Sequence, residues 1–298
     1  MYDILILGAG PAGISAALYA ASREKKVLIL EKSQVGGLIG NVSTVTHYTA
    51  LLPGETGASF AARMQEQALR AGVDIAFETV TEVSLEGEIK TLRTNKGVYQ
   101  APRVILAGGG TPRKLGIPGE QELAGRGIGL NAARDGARYT GKNIYVVGGA
   151  DGAVKEALYL ASFARRLTLI HFEEQLGCIT EFRQKVAATP NITLRLGTRL
   201  GGVFGRDCVE QLELVRERDG FTETLEDPGC GVFVYAGIAP NTDLFPTLAL
   251  RDGYILTDEN MQTSVPGVYA AGDIRFKQVR QVATAVADGA IAAIHACA

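Results

Sequence analysis

The chain of 298 residues has no tryptophan, four cysteines, three histidines and ten prolines. The cysteines are Cys178, Cys208, Cys230 and Cys297, and the closest two in sequence are Cys208 and Cys230. That spacing excludes a Cys-x-x-Cys pair and any zinc-knuckle pattern. Isolated thiols of this kind fit a reducing, cytoplasmic setting. The histidines are scattered, so no metal site is expected. Charge of one sign is also missing. Thirty Lys and Arg against 32 Asp and Glu leave a net charge of −2, which provides no basic excess for a nucleic-acid partner. No apolar run approaches the ~20 residues of a membrane span, and the start, Met1 to Leu7, lacks the basic flank of a secretory segment.

Glycine is plentiful, at 37 residues, well above the roughly 7% of an average protein. The excess sits at the ends of apolar runs, where a backbone turns sharply or approaches a ligand. The first cluster follows Ile4-Leu5-Ile6-Leu7, which reads as a buried parallel strand. Gly8-Ala9-Gly10-Pro11-Ala12-Gly13 comes next, and then an alanine-rich helix. In this G-x-G-x-x-G pattern Gly8 permits the turn and Gly10 admits a pyrophosphate. Gly13 lets the helix pack close to the sheet. A second strand, Val27 to Leu30, ends in Glu31. Its distance along the chain from Gly8 suits an acid reaching a ribose hydroxyl. The motif alone is weak evidence, but strand, glycines, helix, strand and acid occur here in order.

The layout returns at mid-chain. Asn143 to Val147 reads as a strand, followed by Gly148-Gly149-Ala150-Asp151-Gly152-Ala153, a helix over Val154 to Ala164, and a strand Leu167 to Ile170 ending at His171. The offset from Gly148 to His171 equals that from Gly8 to Glu31. Two such units predict an α/β fold with two Rossmann-like domains. The second unit is eroded. Ala150 stands where close approach needs glycine, Asp151 sets a negative charge by the anion position, and His171 replaces the acid. Glu173 and Glu174 follow instead of an arginine, which disfavours NADPH. Weak NADH binding and a fold that has lost its nucleotide both remain open.

Taken together, these motifs resemble the low-molecular-weight, bacterial-type thioredoxin reductase family. Further matches are Gly36-Gly37-Leu38, Ala107-Gly108-Gly109-Gly110-Thr111-Pro112-Arg113, Tyr235-Ala236-Gly237-Ile238-Ala239-Pro240-Asn241-Thr242, and Gly267 through Asp273 with Arg280-Gln281. The resemblance implies an FAD domain from residues 1–113 and 242–298, with an NAD(P)-type domain, 114–241, inserted into it on a two-strand hinge. The residues implied at the FAD are Gly8, Gly10, Pro11, Ala12, Gly13, Glu31, Lys32, Gly36, Gly37, Leu38, His47, Ala107, Gly108, Gly272, Asp273, Arg280, Gln281 and Val282. Asp273 is expected to accept from a ribityl hydroxyl. The helix near Gln281 is expected to aim its N-terminus at the flavin. A homodimer is implied as well.

The departures matter most. The family carries a Cys-x-x-Cys followed by Asp-Gly before the inserted domain's strand. Here the stretch is Gly129-Leu130-Asn131-Ala132-Ala133-Arg134-Asp135-Gly136. Asn131 and Arg134 occupy the cysteine positions, and neither can form a disulfide. They are candidates for facing the flavin, where a guanidinium would favour its anionic reduced form. The plainer reading is a solvated Arg134 and an Asn131 that caps the turn. The expected function is an FAD-dependent oxidoreductase without the active-site dithiol. Its electrons would come from NADH or a protein donor such as ferredoxin, and would go to a separate acceptor. The alternative is a non-catalytic FAD-binding redox sensor or scaffold. A third version keeps thiol chemistry at Cys178, Cys208 or Cys230. His295 and Cys297 are read as part of a frayed tail.

Overall fold

The computed structural model describes all 298 residues. The chain divides into two compact units, Met1–Thr111 with Ala239–Ala298, and Pro112–Ile238. The chain crosses between them twice. The strands at the crossings, Gly110–Pro112 and Ile238–Pro240, pair as a two-stranded ribbon.

In the first unit β1 (Ile4–Leu7), α1 (Pro11–Ala21) and β2 (Val27–Glu31) form the opening parallel turn. Every residue of β2 is buried, as a strand covered on both faces requires. The five-stranded parallel sheet runs Val268–Ala270, Arg103–Leu106, β1, β2, Asp74–Phe77. Antiparallel strands Val80–Ser84, Lys90–Thr94 and Val98–Ala101 form a separate small sheet. Proline suits the first position of α1, where its missing N–H removes no helix bond. The small residues of α1 accept the helix Val282–Ala296 at close range. A β-carbon at Gly289 would collide with the Ala12 carbonyl. The Ser15 hydroxyl also donates to the Val286 carbonyl at 2.7 Å. This last helix persists to Ala296, and Ala292, Ala293 and Ala296 are buried. The frayed tail expected at His295 is thus replaced by a packed helix end, where the His295 carbonyl accepts from Tyr269 Oη.

The second unit repeats the plan. Its parallel sheet runs Ile192–Arg195, Arg166–Ile170, Asn143–Val147, Gly231–Val234, Ile128–Gly129. A three-stranded antiparallel sheet comprises Thr198–Phe204, Gln211–Arg216 and Thr222–Glu226. The helix after the mid-chain glycines spans Asp151–Ala161, starting and ending earlier than the expected Val154 to Ala164. Ala150 is extended at the helix start, so Asp151 enters the first turn. No helix of the chain is long and apolar enough to cross a membrane.

Candidate functional site

The turn between β1 and α1 is built from glycine at each constrained point. Gly8 has φ +105°, and a β-carbon there would collide with the Ala107 carbonyl. A β-carbon on Gly13 would strike the Gly8 carbonyl. Gly10 differs, because nothing lies within 4 Å of its β-carbon position. Gly8 and Gly13 therefore serve the fold, and Gly10 leaves open space at a helix N-terminus, where first-turn N–H groups have no helical partner.

Glu31, Gly36, Gly37, Ala107 and Gly272 converge on this turn. The Gly36 N–H donates to the Ala9 carbonyl at 2.9 Å. Gly37 comes within 3.5 Å of Gly10 Cα, measured from its β-carbon position. A β-carbon on Gly272 would lie 2.8 Å from that of Ala12. Glu31 is buried at the end of β2 and binds backbone on both sides. Its carboxylate accepts from Ala9 N and Ser33 N, each at 2.9 Å. Lys32 follows it on the surface. Leu38 stands on the short 3-10 turn Gly37–Asn41. Ala107 is tied to β1 through its N–H to the Leu7 carbonyl, and the Gly108 carbonyl accepts from Asn241 Nδ2 at 2.8 Å. His47 is an exposed loop residue with φ +58°.

Asp273 carries the electrostatic signal. Its Oδ1 is buried without a hydrogen-bond partner, and the Lys277 ammonium is 3.5 Å away. Burial raises its pKa, and Lys277 opposes the shift. Arg280 lies with its guanidinium 3.9 Å from the Tyr254 ring centre, and its Nε has no hydrogen-bond partner. Gln281 precedes the last helix, which opens at Val282, and its N–H donates to Thr284 Oγ1. The residues that sequence reasoning missed lie beneath these. Buried Asp288 accepts from Gly272 N, Arg275 Nε and Lys277 Nζ at 3.1, 3.1 and 3.0 Å. It holds the Gly272-Asp273 loop against the last helix. An acid immediately before Gly289 was the available signal, but its partners all lie on the loop upstream of the helix.

An open cradle at Gly10 and a buried Asp273 oxygen that accepts no hydrogen bond fit a ligand with a pyrophosphate and a hydroxylated chain. These are the chemical features of FAD, so the residues present suit that cofactor.

The mid-chain turn has the same backbone and different contents. Gly148 has φ +133°, and its β-carbon position is 2.5 Å from the Tyr235 carbonyl, as Gly8 faces Ala107. A β-carbon on Gly149, however, would collide with the His171 ring. His171 is buried with Nε2 3.2 Å from Glu173 Oε2, and its Nδ1 has no hydrogen-bond partner. Asp151 does not stand free beside an anion position. Its Oδ1 accepts from Ile179 N at 2.8 Å. A cavity of about 570 Å³ remains, lined by Ala150, His171, Phe172, Arg199 and Tyr235 among others.

Asn131 and Arg134 close on their own loop. Asn131 Oδ1 accepts from Arg134 N at 2.8 Å, capping the short helix Ala132–Asp135. Arg134 pairs with Asp135 through two bonds of 2.9 and 3.0 Å. Asp135 also accepts from Leu130 N and Asn131 N. Arg134, first among these donors, holds the Asp135 carboxyl below its usual range. The guanidinium is thus already neutralised by a neighbour. All four cysteines are free thiols. Burial raises Cys178 and pushes Cys230 up to about 12, so neither is a ready thiolate.

The fold and the paired nucleotide turns define a class. The pyridine nucleotide-disulphide oxidoreductase family model matches residues 2–289, and the chain belongs to that family. Within it the likeness is to thioredoxin reductases. The chain is 41% identical to the thioredoxin reductase of Peptoclostridium acidaminophilum, covering 99% of this chain and 96% of that protein. The Lactococcus lactis thioredoxin reductase structure, in its FR conformation, superposes with a TM-score of 0.95 at 33% identity, over 99% of this chain and 98% of that one. A ferredoxin-flavin thioredoxin reductase from Clostridium acetobutylicum matches at 30% identity and a TM-score of 0.54, over 99% and 96% of the two chains. The family implies FAD.

Proposed function

We propose that this chain is an FAD-dependent oxidoreductase of the thioredoxin reductase type that works without an active-site dithiol. It takes electrons from NADH, bound weakly, or from a protein donor such as ferredoxin, and passes them to a separate acceptor. One contrast carries the reading: the first turn leaves open space at Gly10 and ends its second strand in Glu31, whereas the second turn carries the Ala150 methyl and His171 at the matching positions. When bound, FAD supplies a carrier that accepts two electrons and releases them one or two at a time. In this reading the amides that open α1 bind the pyrophosphate, Glu31 takes a ribose hydroxyl, and Asp273 Oδ1 accepts from the ribityl chain. Lys277 keeps the Asp273 carboxylate from standing uncompensated. Asn131 and Arg134 offer no sulfur for exchange. The likeness to the ferredoxin-flavin thioredoxin reductase of Clostridium acetobutylicum adds support for a protein donor. The chain is also proposed to form a homodimer.

The second reading is a flavoprotein that senses redox state or scaffolds a partner without turnover. The closed Asn131–Asp135 loop favours it, because it presents no nucleophile and its cation is already paired. Anaerobic mixing with NADH, NADPH and reduced ferredoxin separates the two. Bleaching of the flavin absorbance by NADH or ferredoxin, and not by NADPH, is expected. If no donor bleaches it, the oxidoreductase reading fails.

A further inference from the structure

The first unit contains a second concave site that shares no lining residue with the Gly8–Gly13 turn. A cavity of about 910 Å³ is walled by the loop from Glu86 to Lys90, by Pro102 and Arg103, and by Gln262, the Ser264–Gly267 segment and Tyr269. Lys90 lines it and is only 3% exposed. Its ammonium donates to the Gly87 carbonyl, and no carboxylate pairs with it. The Arg103 guanidinium has one hydrogen bond, 3.3 Å to the Pro102 carbonyl. The two cationic stems flank Gly267. A β-carbon there would lie 3.4 Å from Lys90 Cε and 3.5 Å from Arg103 Cδ. Glu86 and Glu88 also line the cavity, but both are exposed and neither forms an ion pair with Lys90 or Arg103.

A buried ammonium without a counter-charge is unfavourable, and a second cation beside it adds to the cost. Burial, then Arg103, pushes the Lys90 pKa down. A methionine would fill the same space with no such penalty. Two adjacent cations match a dianion better than a single carboxylate, and arginine suits planar or bidentate recognition of phosphate. The cavity is within the size range of small-molecule pockets. Ile89, Pro102, Val265 and Tyr269 give it an apolar wall.

We propose that this cavity binds a phosphate group between Lys90 and Arg103, either free or carried by a small molecule whose less polar part rests on the apolar wall. The protein as purified would be titrated calorimetrically with inorganic phosphate, AMP and adenosine. AMP is expected to bind at least tenfold more tightly than adenosine. Lys90→Met and Arg103→Gln are each expected to weaken AMP at least tenfold. AMP binding more tightly than phosphate identifies a phosphorylated small molecule, and equal binding identifies free phosphate. Without ligand, Lys90→Met is expected to raise the melting temperature while abolishing the rise that AMP produces. No heat with either phosphate compound overturns the proposal. So does AMP affinity that survives both substitutions, which would place the binding elsewhere, for example in the cavity beside His171.

Discussion

The two units share a layout and differ in what fills the nucleotide turn. Each has a strand, a glycine turn, a helix and a second strand, then a third strand, an antiparallel three-stranded sheet and a return strand. Gly8 and Gly148 both have positive φ and both face a carbonyl at close range. These glycines keep the backbone turn, whatever it binds. The ligand-facing positions have diverged: open space at Gly10 against a methyl at Ala150, and Glu31 against His171. Fold and ligand preference thus rest on different residues of one short motif, and one can be lost while the other persists.

The comparison breaks most severely at Gly13. Gly13→Val places branched carbons against the Gly8 carbonyl, which is backbone and cannot swing aside. Loss of bound flavin and a destabilisation of about 3 kcal/mol are expected, read from the flavin-to-protein absorbance ratio and the melting temperature. A fully flavinated, stable variant would show that the turn tolerates a side chain.

The converse change sharpens the comparison. Ala150→Gly with His171→Glu rebuilds the second turn on the plan of the first, with a carboxylate able to meet Gly149 N. NADH affinity is expected to rise about tenfold, or ~1.4 kcal/mol, by calorimetry. NADPH is expected to gain less, because Glu173 and Glu174 remain. Equal gains for both nucleotides would remove the argument from those two acids.

Asn131→Cys with Arg134→Cys tests the other departure. A disulfide is expected by mass mapping, yet NADPH-driven reduction of thioredoxin is expected to stay near background, because the second turn is unaltered. Robust turnover with NADPH would show that only the sulfurs were missing.

The smallest effect lies at Asp135. Its carboxyl is held below its ordinary value by Arg134 and backbone N–H groups. It therefore contributes stability that is present above the ordinary carboxylate range and lost as pH falls through the lowered value. Arg134→Ala should cost about 1 kcal/mol at neutral pH and shrink the loss on acidification through the carboxylate range, followed by denaturant melts. An unchanged acid profile would mean that the backbone donors alone set the shift.

The parallel strands were readable because β1, β2 and Asn143–Val147 are short, nearly continuous apolar runs, two of them ended by glycine. The erosion of the second turn was also readable, since Ala150 and His171 break a fixed spacing. The role of Asp151 was not. Its acceptor role depends on Ile179 N, which lies beyond the next strand, and an isolated acid in sequence looks like bare charge. The Asp288 cluster was hidden for the same reason. Arg134 was legible as a cation but not as one already paired, because the pairing requires Asp135 to turn back on its own loop. The antiparallel strand Thr222–Glu226 alternates only between exposed and half-buried residues, so its hydrophobic signal is faint.

The closure of α1 against Val282–Ala296 has a consequence for how the protein is made. Ser15 bonds to Val286 across nearly the whole length of the chain, and Gly289 packs on Ala12. A ribosome therefore exposes the first half of the cofactor unit long before its other half exists. The continuous segment Pro112–Ile238 is free to fold meanwhile, since domains generally fold as units during synthesis. On stalled nascent chains that end before the last helix, protease resistance is expected within 112–238 and not within 1–111. The younger part of the chain thus finishes the older one.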